Sequence, residues 1–466
     1  MKNLTLEHIA QVCNGTYYGP EGKKQEEVQS IITDSRKAES GCLFVPIVGE
    51  RVDAHKFIPQ VMEAGALATL SERLLENADF PYILVESSLQ AVKNIAEFYL
   101  KQLNIPVVGI TGSVGKTSTK DMMYRIFSSK YRTVCNFENF NNHIGVPLTA
   151  FRVEGDTQAA IFEMGMNHSG EIRLLADIVR PETAAITNVG TSHIGNLGSR
   201  DNIMKAKMEI TGFMDSSSTL VYNADNDKLS ELKGKPFTFR TLPTGTEVDG
   251  RDSVKISDVV SLGERGIRFR LSCREESCEF ELPLPGIHNA HNAAVAAACG
   301  LVYGISLKES AEALTSIQSS AVRLNITEAH GIQVINDTYN ASPDSVRAVV
   351  DVLKERNAGR RVAVLADMFE LGDASDEYHR SIGAYAAEKG IDVLVAIGSN
   401  ARHIAAGAAE KMGHDRVFYF PDSENFMKNA HEIIRKGDAV LVKGSHGMAM
   451  DRVAGFLTET GEWNGL

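Results

Sequence analysis

The stretch IPVVGITGSVGKTSTK at residues 105–120 decides the fold, because an apolar strand runs directly into a glycine-rich turn and then into a helix that begins near Lys116. Glycines let backbone N–H groups converge on phosphate oxygens, and the helix N-terminus adds the positive end of its dipole. A lysine of this kind reaches the β- and γ-phosphates of ATP, and the hydroxyl of the next residue binds Mg²⁺. The general motif has a glycine where this chain has Ile110, and a glycine-rich turn with an exposed lysine is the competing interpretation. The stretch predicts a phosphate loop built from Gly112, Ser113, Val114, Gly115, Lys116, Thr117 and Ser118.

Two further strand ends carry side chains that suit a metal ion beside this loop. The strand AAIFEMG at 159–165 ends in Glu163, where a loop of this kind needs a second metal carboxylate. A strand-end charge in water explains Glu163 equally well. The strand of AAITNVGTSHIG leads to His193, and a single histidine is more often structural than a ligand.

Composition bounds the class of protein. With 466 residues the chain is too long for one hydrophobic core, so two or three domains are expected. The net charge of −12 argues against a nucleic-acid binder. No signal peptide and no run of about 18 apolar residues is found, which predicts a cytoplasmic protein without a membrane span.

Cys273 and Cys278 could face each other across a hairpin or form half of a metal site, and two reduced thiols are the simpler interpretation.

The pattern of strands and helices predicts an α/β protein of three domains. The predicted domains are residues 1–103, 104–318 and 319–466. In the third, the strands IQVIN (332–336), VAVLA (362–366), VLVAIG (393–398) and AVLVKG (439–444) alternate with helices, which is typical of a doubly wound parallel sheet. A helix is expected after the first of these strands, with Ser342 as N-cap, Pro343 at its first position and Gly359 closing it. Ligands bind at the carboxyl ends of such strands, which favours Asp337, Tyr339 and Asn340 as site residues.

The motifs together resemble the Mur ligases, the ATP-dependent amide-forming enzymes of peptidoglycan synthesis. The resemblance extends along essentially the whole chain and rests on TGSVGKT (111–117), NNHIGVPLT (141–149), EMG (163–165), TNVGTSHIGNLGS (187–199), KAKMEI (205–210), YNADN (222–226), LPGIHNAHNAAVAAA (284–298), DTYNASPDS (337–345), DMFELG (367–372) and LVKGS (441–445). Within the family, the chain is most similar to the ligases that join D-alanyl-D-alanine to UDP-N-acetylmuramoyl-tripeptide.

The resemblance implies a small N-terminal α/β domain that binds the UDP-sugar, a central P-loop ATPase-type parallel sheet and a C-terminal Rossmann-like domain. It implies two Mg²⁺ ions held by Thr117, Glu163, His193 and a carbamylated Lys207, with Lys116, Glu163, His193 and Lys207 as the catalytic group. Residues expected near ATP are Asn289, Asn292, Arg323, Asp337 and Tyr339. Residues expected near the other substrates are Asp34, Ser35, Arg36, Asp53, His55, Asn142, His143, Asn340, Lys443, Ser445 and His446.

The implied reaction has two steps: the tripeptide carboxylate attacks the γ-phosphate of ATP, and the dipeptide amine then displaces phosphate from the acyl phosphate. The resemblance also implies a monomer whose C-terminal domain closes over the site. His446 departs from the family, where arginine is usual, so a different D-dipeptide stays open as the acceptor. The same motifs leave room for a sibling ligase that adds a single amino acid, a P-loop switch that hydrolyses ATP, and a non-catalytic UDP-sugar-binding scaffold.

Overall fold

The computed structural model describes residues 1, 3–49, 52–137, 139–317 and 322–460. Three sheets follow one another along the chain, in the order of the three predicted regions. The predicted boundary at residues 103–104 lies between the last helix before the central sheet and the first strand of that sheet. The boundary predicted at residues 318–319 lies outside the described residues, so both limits stay predictions. No helix in the described ranges is long and apolar enough to cross a membrane.

The first sheet has five short strands in the order β1-β5-β4-β3-β2, all parallel except β1. The strands are β1 (Thr16–Tyr18), β2 (Ser30–Ile32), β3 (Cys42–Phe44), β4 (Ala68–Ser71) and β5 (Tyr82–Leu84), and the helices are α1 (Leu6–Val12), α2 (Ile58–Glu63) and α3 (Ser88–Lys101). Helix α3 begins at Ser87, whose hydroxyl accepts from the N–H of Gln90, and buries one face that includes Val92 and Ile95. This face joins the first sheet and one side of the central sheet in a single hydrophobic core.

The central sheet has nine strands in the order β14-β13-β12-β11-β10-β9-β6-β8-β7. The strands are β6 (Val107–Thr111), β7 (Thr133–Cys135), β8 (Ala159–Glu163), β9 (Thr183–Ile186), β10 (Thr219–Asn223), β11 (Arg240–Gly245), β12 (Val254–Ser261), β13 (Ile267–Cys273) and β14 (Glu276–Leu282). The helices are α4 (Lys116–Ser128), α5 (Gly145–Ala150), α6 (Glu171–Val179), α7 (Ile194–Leu197), α8 (Arg200–Met208), α9 (Asp227–Ser230), α10 (His288–Val302) and α11 (Leu307–Leu314). Strand β6 lies between β8 and β9 and is parallel to both. The carboxyl ends of these three strands therefore lie side by side, which brings the phosphate loop, Glu163 and Thr187 to one edge.

The last two strands of this sheet pair antiparallel and carry the two neighbouring cysteines. Cys273 pairs with Glu276, and Cys278 pairs with Leu271, so the two thiols do not face each other across the hairpin. The expectation that they could do so is wrong, because the tight turn sets a register that offsets them. Both cysteines are free, as the simpler interpretation predicts.

The C-terminal sheet has the strand order β15-β16-β20-β17-β18-β19, and only β15 is antiparallel to its neighbour. The strands are β15 (Asn325–Ala329), β16 (Ile332–Asn336), β17 (Arg360–Ala366), β18 (Val393–Ile397), β19 (Val417–Phe420) and β20 (Asp438–Lys443). The helices are α12 (Pro343–Lys354), α13 (Ser375–Glu388), α14 (Ala401–Met412), α15 (Ser423–Ile433) and α16 (Asp451–Gly455). Separate apolar clusters cover the two faces of the sheet. This confirms the predicted doubly wound arrangement.

Helix α12 forms where the sequence predicts it. Ser342 caps it in a reciprocal capping box with Ser345, and Pro343 occupies its first position. The helix ends at Lys354, so the prediction that Gly359 closes it is wrong. The N–H of Gly359 instead donates to the carbonyl of Gly437 at 2.9 Å. Gly359 therefore belongs to the approach to β17 and not to the end of the helix.

Candidate functional site

A cavity of about 430 Å³ lies at the carboxyl ends of the central strands and is closed on its other side by the C-terminal domain. Many of the predicted site residues line it: Ser113, Val114, Gly115, Lys116, Thr117, Ser118, Glu163, His193, Asn289, Asn292, Arg323, Asp337, Tyr339, Asn340 and Lys443. Residues predicted from the central and C-terminal regions of the chain thus meet in one place. The cavity lining does not include Gly112, Lys207, Asn142, His143, Ser445, His446, Asp34, Ser35, Arg36, Asp53 and His55.

Two glycines of the phosphate loop are required by close backbone approaches. A Cβ at Gly112 would lie 1.9 Å from Thr187 Oγ1. Gly115 has φ of 82°, and a Cβ there would lie 2.7 Å from Asn292 Oδ1. Gly115 is also the N-cap residue of α4, so its left-handed conformation turns the chain into the helix and directs the first amides toward the cavity.

Strand β9 shapes the loop from the other side through Asn188. Its Oδ1 accepts from the N–H of Ser113 at 3.1 Å and from that of Val114 at 2.9 Å, and its Nδ2 donates to Val114 O at 3.2 Å. The neighbouring Thr187 hydroxyl donates to the same carbonyl at 2.6 Å. No pattern in the sequence singles out Asn188, although it lies within TNVG at residues 187–190.

The Lys116 ammonium lies over the loop and donates to Gly112 O at 2.8 Å and to Ser113 O at 3.4 Å. Burial lowers the pKa of Lys116, the nearby Glu163 carboxylate raises it, and Arg323 lowers it further. An anion in the cavity would stabilise the charged form of such a lysine, because it would replace the solvation that burial removes.

Thr117 and Glu163 lie together on the cavity wall. The Thr117 hydroxyl donates to Glu163 Oε2 at 2.8 Å, and Asn141 Nδ2 donates to Glu163 Oε1 at 2.9 Å. A hydroxyl and a carboxylate side by side are the hard oxygen ligands that Mg²⁺ prefers. Asn141 was not predicted. Its predicted neighbour Asn142 orders the turn before α5, because its Oδ1 accepts from the N–H groups of Ile144 and Gly145 at 3.1 and 2.9 Å.

His193 reaches the same cavity from the loop that precedes α7. It is left-handed, with φ of 64°, and its side chain is 17% exposed. Its Nδ1 bonds to a carboxylate oxygen of Glu370, which belongs to the C-terminal domain. The Nε2 atom has no partner among the groups that the structure describes. His193 thus offers one free ring nitrogen at the cavity.

Lys207 lies behind this wall on α8 and is 1% exposed. No residue in the described part of the chain forms a hydrogen bond or ion pair with its ammonium. Burial lowers the pKa of Lys207 well below its ordinary value, and the charge of Lys116 lowers it further. Burial thus favours the neutral amine form of Lys207 more than it is favoured in an exposed lysine.

The start of α10 forms another wall. Asn289 Nδ2 donates to Pro285 O at 2.8 Å, and Asn292 Nδ2 donates to Asn289 Oδ1 at 3.2 Å. His288 and His291 also line the cavity. Burial lowers the pKa of His288 to about 4 and lowers that of His291, so both present neutral ring edges.

The C-terminal domain contributes a charged cluster opposite the phosphate loop. The Arg323 guanidinium lies 3.7 Å from the centre of the Tyr339 ring. Lys443, which is 2% exposed, donates to Asp337 Oδ2 at 2.5 Å and to Asn340 O at 2.8 Å. Asp337 Oδ1 also accepts from the N–H of Leu324 at 3.0 Å. Lys443 thus has a structural partner at the place where substrate contact was predicted.

The remaining predicted residues do not line this cavity. Ser445 is buried and accepts from the N–H of Phe369 at 2.9 Å, and the ring of His446 lies 6.2 Å from that of Tyr339. In the N-terminal domain, hydrogen bonds from Arg36 lower the pKa of Asp34 to about 2, and Asp53 bonds to His55 Nδ1 at 2.7 Å. No geometry here tests whether these residues contact a substrate, so their roles stay predictions.

Comparison with known proteins gives concordant results. The family described as Mur ligase middle domain matches residues 110–300, and the one described as Mur ligase, glutamate ligase domain matches residues 322–446. The UDP-N-acetylmuramoyl-tripeptide–D-alanyl-D-alanine ligase of Bacillus subtilis (strain 168) is 36% identical over 99% of each chain. A crystal structure of MurF from Acinetobacter baumannii superposes with a TM-score of 0.88 at 31% identity, over 98% of this chain and 99% of that one. The MurF ligase of Thermotoga maritima in complex with ADP superposes with a TM-score of 0.82 at 27% identity, over 94% and 99% of the two chains.

Proposed function

The chain belongs to the Mur ligase family, and from that premise we propose that it joins D-alanyl-D-alanine to UDP-N-acetylmuramoyl-tripeptide at the expense of ATP. The observation that carries the proposal is the cavity in which the phosphate loop of the central domain faces Arg323, Asp337 and Tyr339 of the C-terminal domain. A site divided between two domains suits a reaction whose activated intermediate must be kept from water.

The charges and hydrogen-bond donors of this cavity suit ATP. The loop amides and Lys116 supply donors for the phosphates, and Arg323 lies close enough to influence the pKa of Lys116. The neutral edges of His288 and His291, with Asn289 and Asn292 beside them, suit a purine ring. The similarity to a ligase whose structure holds ADP supports the same use of the site here.

The donors around Thr117 suit Mg²⁺, which neutralises the charge that spreads over a transferring phosphoryl group. Thr117 and Glu163 would hold one ion. His193 Nε2 and a carbamate on Lys207 would contribute to a second. Lys207 fits this modification because a neutral amine reacts with CO₂, with loss of one proton, to give an anionic carbamate that can ligate a metal. A charged ammonium in this position would repel the ion.

The protein's own residues then serve two steps. Lys116 and Arg323 offset the charge of the phosphates, so that the anionic tripeptide carboxylate can approach the γ-phosphate. The acyl phosphate that results loses phosphate when the dipeptide amine attacks its carbonyl carbon. The C-terminal domain excludes water between the two steps, because it forms the opposite wall of the cavity.

The remaining assignments follow from the same proposal. The N-terminal domain, residues 1–103, binds the UDP-sugar through the surface that carries Asp34–Arg36 and Asp53–His55. Residues 104–318 bind ATP, and residues 319–466 complete the site. The enzyme acts as a monomer in the cytoplasm, where peptidoglycan precursors are made. Through this synthesis it contributes to cell shape and cell division.

The proposed acceptor region differs from that of the family at His446, where arginine is usual. Arginine would offer a permanent charge and a two-pronged donor to a dipeptide carboxylate, whereas histidine is mostly neutral near pH 7. We therefore expect weaker binding of D-alanyl-D-alanine than an arginine at this position would give, and dipeptides with another D-residue at the C-terminal end are the alternative acceptors.

The test is steady-state phosphate release from the purified protein with ATP, Mg²⁺, UDP-N-acetylmuramoyl-tripeptide and a panel of D-dipeptides. Phosphate release that depends on both the tripeptide and D-alanyl-D-alanine supports the proposal. Release with glutamate or a diamino acid and none with a dipeptide would identify a sibling ligase. Release without any acceptor would identify an ATP-hydrolysing switch, and no release would leave a binding scaffold.

Matched lysine variants keep this assay interpretable. Lys116→Ala removes the phosphate-loop cation, and Lys130→Ala removes an exposed lysine just beyond the same helix, which bonds to Gly304 O. We expect release to fall by at least about 100-fold in the first variant and to stay within about twofold in the second. Equal rates in the two variants would contradict the assignment of the loop.

A further inference from the structure

Glu370 connects the C-terminal domain to His193 by two different groups. Its carboxylate bonds to His193 Nδ1, and its backbone carbonyl accepts from the N–H of Gly195 at 2.9 Å. Glu370 lies in the turn that follows β17, and 177 residues separate it from His193. The loop that carries His193 is thus held by a residue of the C-terminal domain.

The backbone in this contact is closely specified. His193, Glu370 and Gly372 all have left-handed φ angles, of 64°, 62° and 60°. A Cβ on Gly195 would lie 2.6 Å from the N atom of Gly372. Two non-glycine residues in this sparsely populated conformation need surrounding contacts to hold them. The two loops therefore fit each other in one arrangement.

The hydrogen bond also selects the tautomer of the imidazole. A carboxylate only accepts, so Nδ1 carries the proton, and in the neutral ring Nε2 then has the lone pair that a metal needs. Histidine ligands of metals are commonly oriented in this way, by a carboxylate on the ring nitrogen that does not bind the metal.

We propose that Glu370 is a positioning residue that orients His193 for metal binding, so that the metal site is complete only when the C-terminal domain has docked. The inference rests on the proposed use of His193 as a metal ligand. The positioning role of Glu370 has a further consequence: docking of the C-terminal domain and binding of the metal–nucleotide complex favour each other.

A contact that only holds the two domains together would show the same hydrogen bonds as Glu370 and His193. A second contact between the domains therefore serves as the control. Glu264, in the loop between β12 and β13, accepts from Arg356 at 2.9 Å and from Gln333 at 2.8 Å. This contact joins the same two domains, and none of its three residues lines the cavity. Glu264→Gln therefore weakens the domain contact without touching His193.

The experiment measures metal binding directly, with Mn²⁺ as the probe and the β,γ-methylene analogue of ATP as the nucleotide. This analogue has no nitrogen in its phosphate chain, so electron spin echo modulation from a ligating ¹⁴N reports the histidine. The proteins compared are wild type, Glu370→Ala, Glu370→Gln, Glu264→Gln and His193→Gln. Mn²⁺ affinity is read from the same spectra, and nucleotide affinity in EDTA is read by calorimetry.

We expect Glu370→Ala to weaken Mn²⁺ binding by about 10- to 100-fold and to reduce the ¹⁴N modulation. Nucleotide affinity in EDTA should stay within about threefold, because His193 acts there only through the metal. Glu370→Gln can still accept from Nδ1–H and should lose less, and it carries the test if the alanine variant does not fold. Glu264→Gln should lose much less Mn²⁺ affinity than Glu370→Ala, because it weakens the domain contact but leaves His193 oriented.

Wild-type Mn²⁺ affinity in both Glu370 variants would overturn the inference, and so would an equal loss in Glu264→Gln. His193→Gln separates this failure from that of the proposed function. If His193→Gln keeps the ¹⁴N modulation, His193 is not a ligand, and the proposed metal site fails together with the inference. If only His193→Gln loses it, the metal site stands and the positioning role is wrong.

Discussion

The Lys443–Asp337 pair gives a prediction whose size follows from its burial. Lys443 is 2% exposed and Asp337 is 13% exposed at the side chain. Lys443→Met keeps most of the side-chain volume but leaves the Asp337 carboxylate without its cation. Removing one partner of a buried ion pair costs about 3–5 kcal/mol. We expect a loss of about 3 kcal/mol, at the lower end, because Asp337 borders the cavity and keeps the N–H of Leu324.

The assay is scanning calorimetry of the full chain, with urea unfolding as a second measure. A loss of about 3 kcal/mol should lower the transition of the C-terminal domain by roughly 10 °C. The double variant Lys443→Met/Asp337→Asn removes the unpaired charge and should recover at least half of the loss. Lys436→Met, at an exposed lysine just before the same strand, is the matched control and should change stability by less than about 0.5 kcal/mol.

Two results would refute this reasoning. One is a loss below about 1 kcal/mol in Lys443→Met, which is the value of an exposed pair. The other is strict additivity of the two single substitutions, which would mean that the charges do not interact. In either case Lys443 would be free for the substrate contact that the sequence predicted.

Three further predictions concern the cavity. Lys207→Ala should lower turnover by at least about 100-fold, and ¹³C NMR in labelled bicarbonate should lose a carbamate signal that the exposed neighbour Lys205→Ala retains; a signal retained in both would contradict the modification. Gly115→Ala should weaken ATP binding at least about tenfold in calorimetry, because its φ of 82° and the contact with Asn292 exclude a Cβ, whereas Gly155→Ala, where a Cβ meets no atom within 4 Å, should not. Burial lowers the pKa of His288 to about 4 from 6.5, so the unfolded chain takes up the proton first as the pH falls, and the unfolding free energy should decline between about pH 6.5 and 4. Urea midpoints at about pH 7 and pH 5 should differ less in His288→Gln than in wild type, and an equal difference would contradict the assignment.

Local signals predicted much of the fold and of the cavity, since they depend on neighbours in sequence. The strand over 332–336 and the N-cap at Ser342 form as predicted, because period and capping are properties of a few adjacent residues. Glu163 ends β8 beside the loop for the same reason. The end of α12 was mispredicted, because the role of Gly359 depends on its contact with Gly437, which is distant in sequence.

The site residues that the sequence did not predict make contacts that depend on the order of the strands in the sheet. No local sequence pattern contains that order. Asn188 reaches the phosphate loop because β9 lies next to β6, although 75 residues separate it from Ser113. Asn141 reaches Glu163 through the loop before α5. Both are asparagines in segments that the resemblance covered. Their contacts follow only from the adjacency of the parallel strand ends.

Helix α12 carries contacts between the two domains at both of its ends. At its start, Asp344 accepts from the N–H and hydroxyl of Thr191 at 2.8 and 3.0 Å. Beyond its end, Glu355 accepts from Ser261 at 2.7 Å, and Arg356 meets Glu264. Each such contact contributes about 0.5–1.5 kcal/mol net, so together they favour closure by only a few kcal/mol. In the proposed reaction, a nucleotide bound with micromolar affinity would supply about 8 kcal/mol, and a part of this would suffice to shift the domains toward closure. Loss of the products would remove that part, so contacts of this size are compatible with reopening of the site.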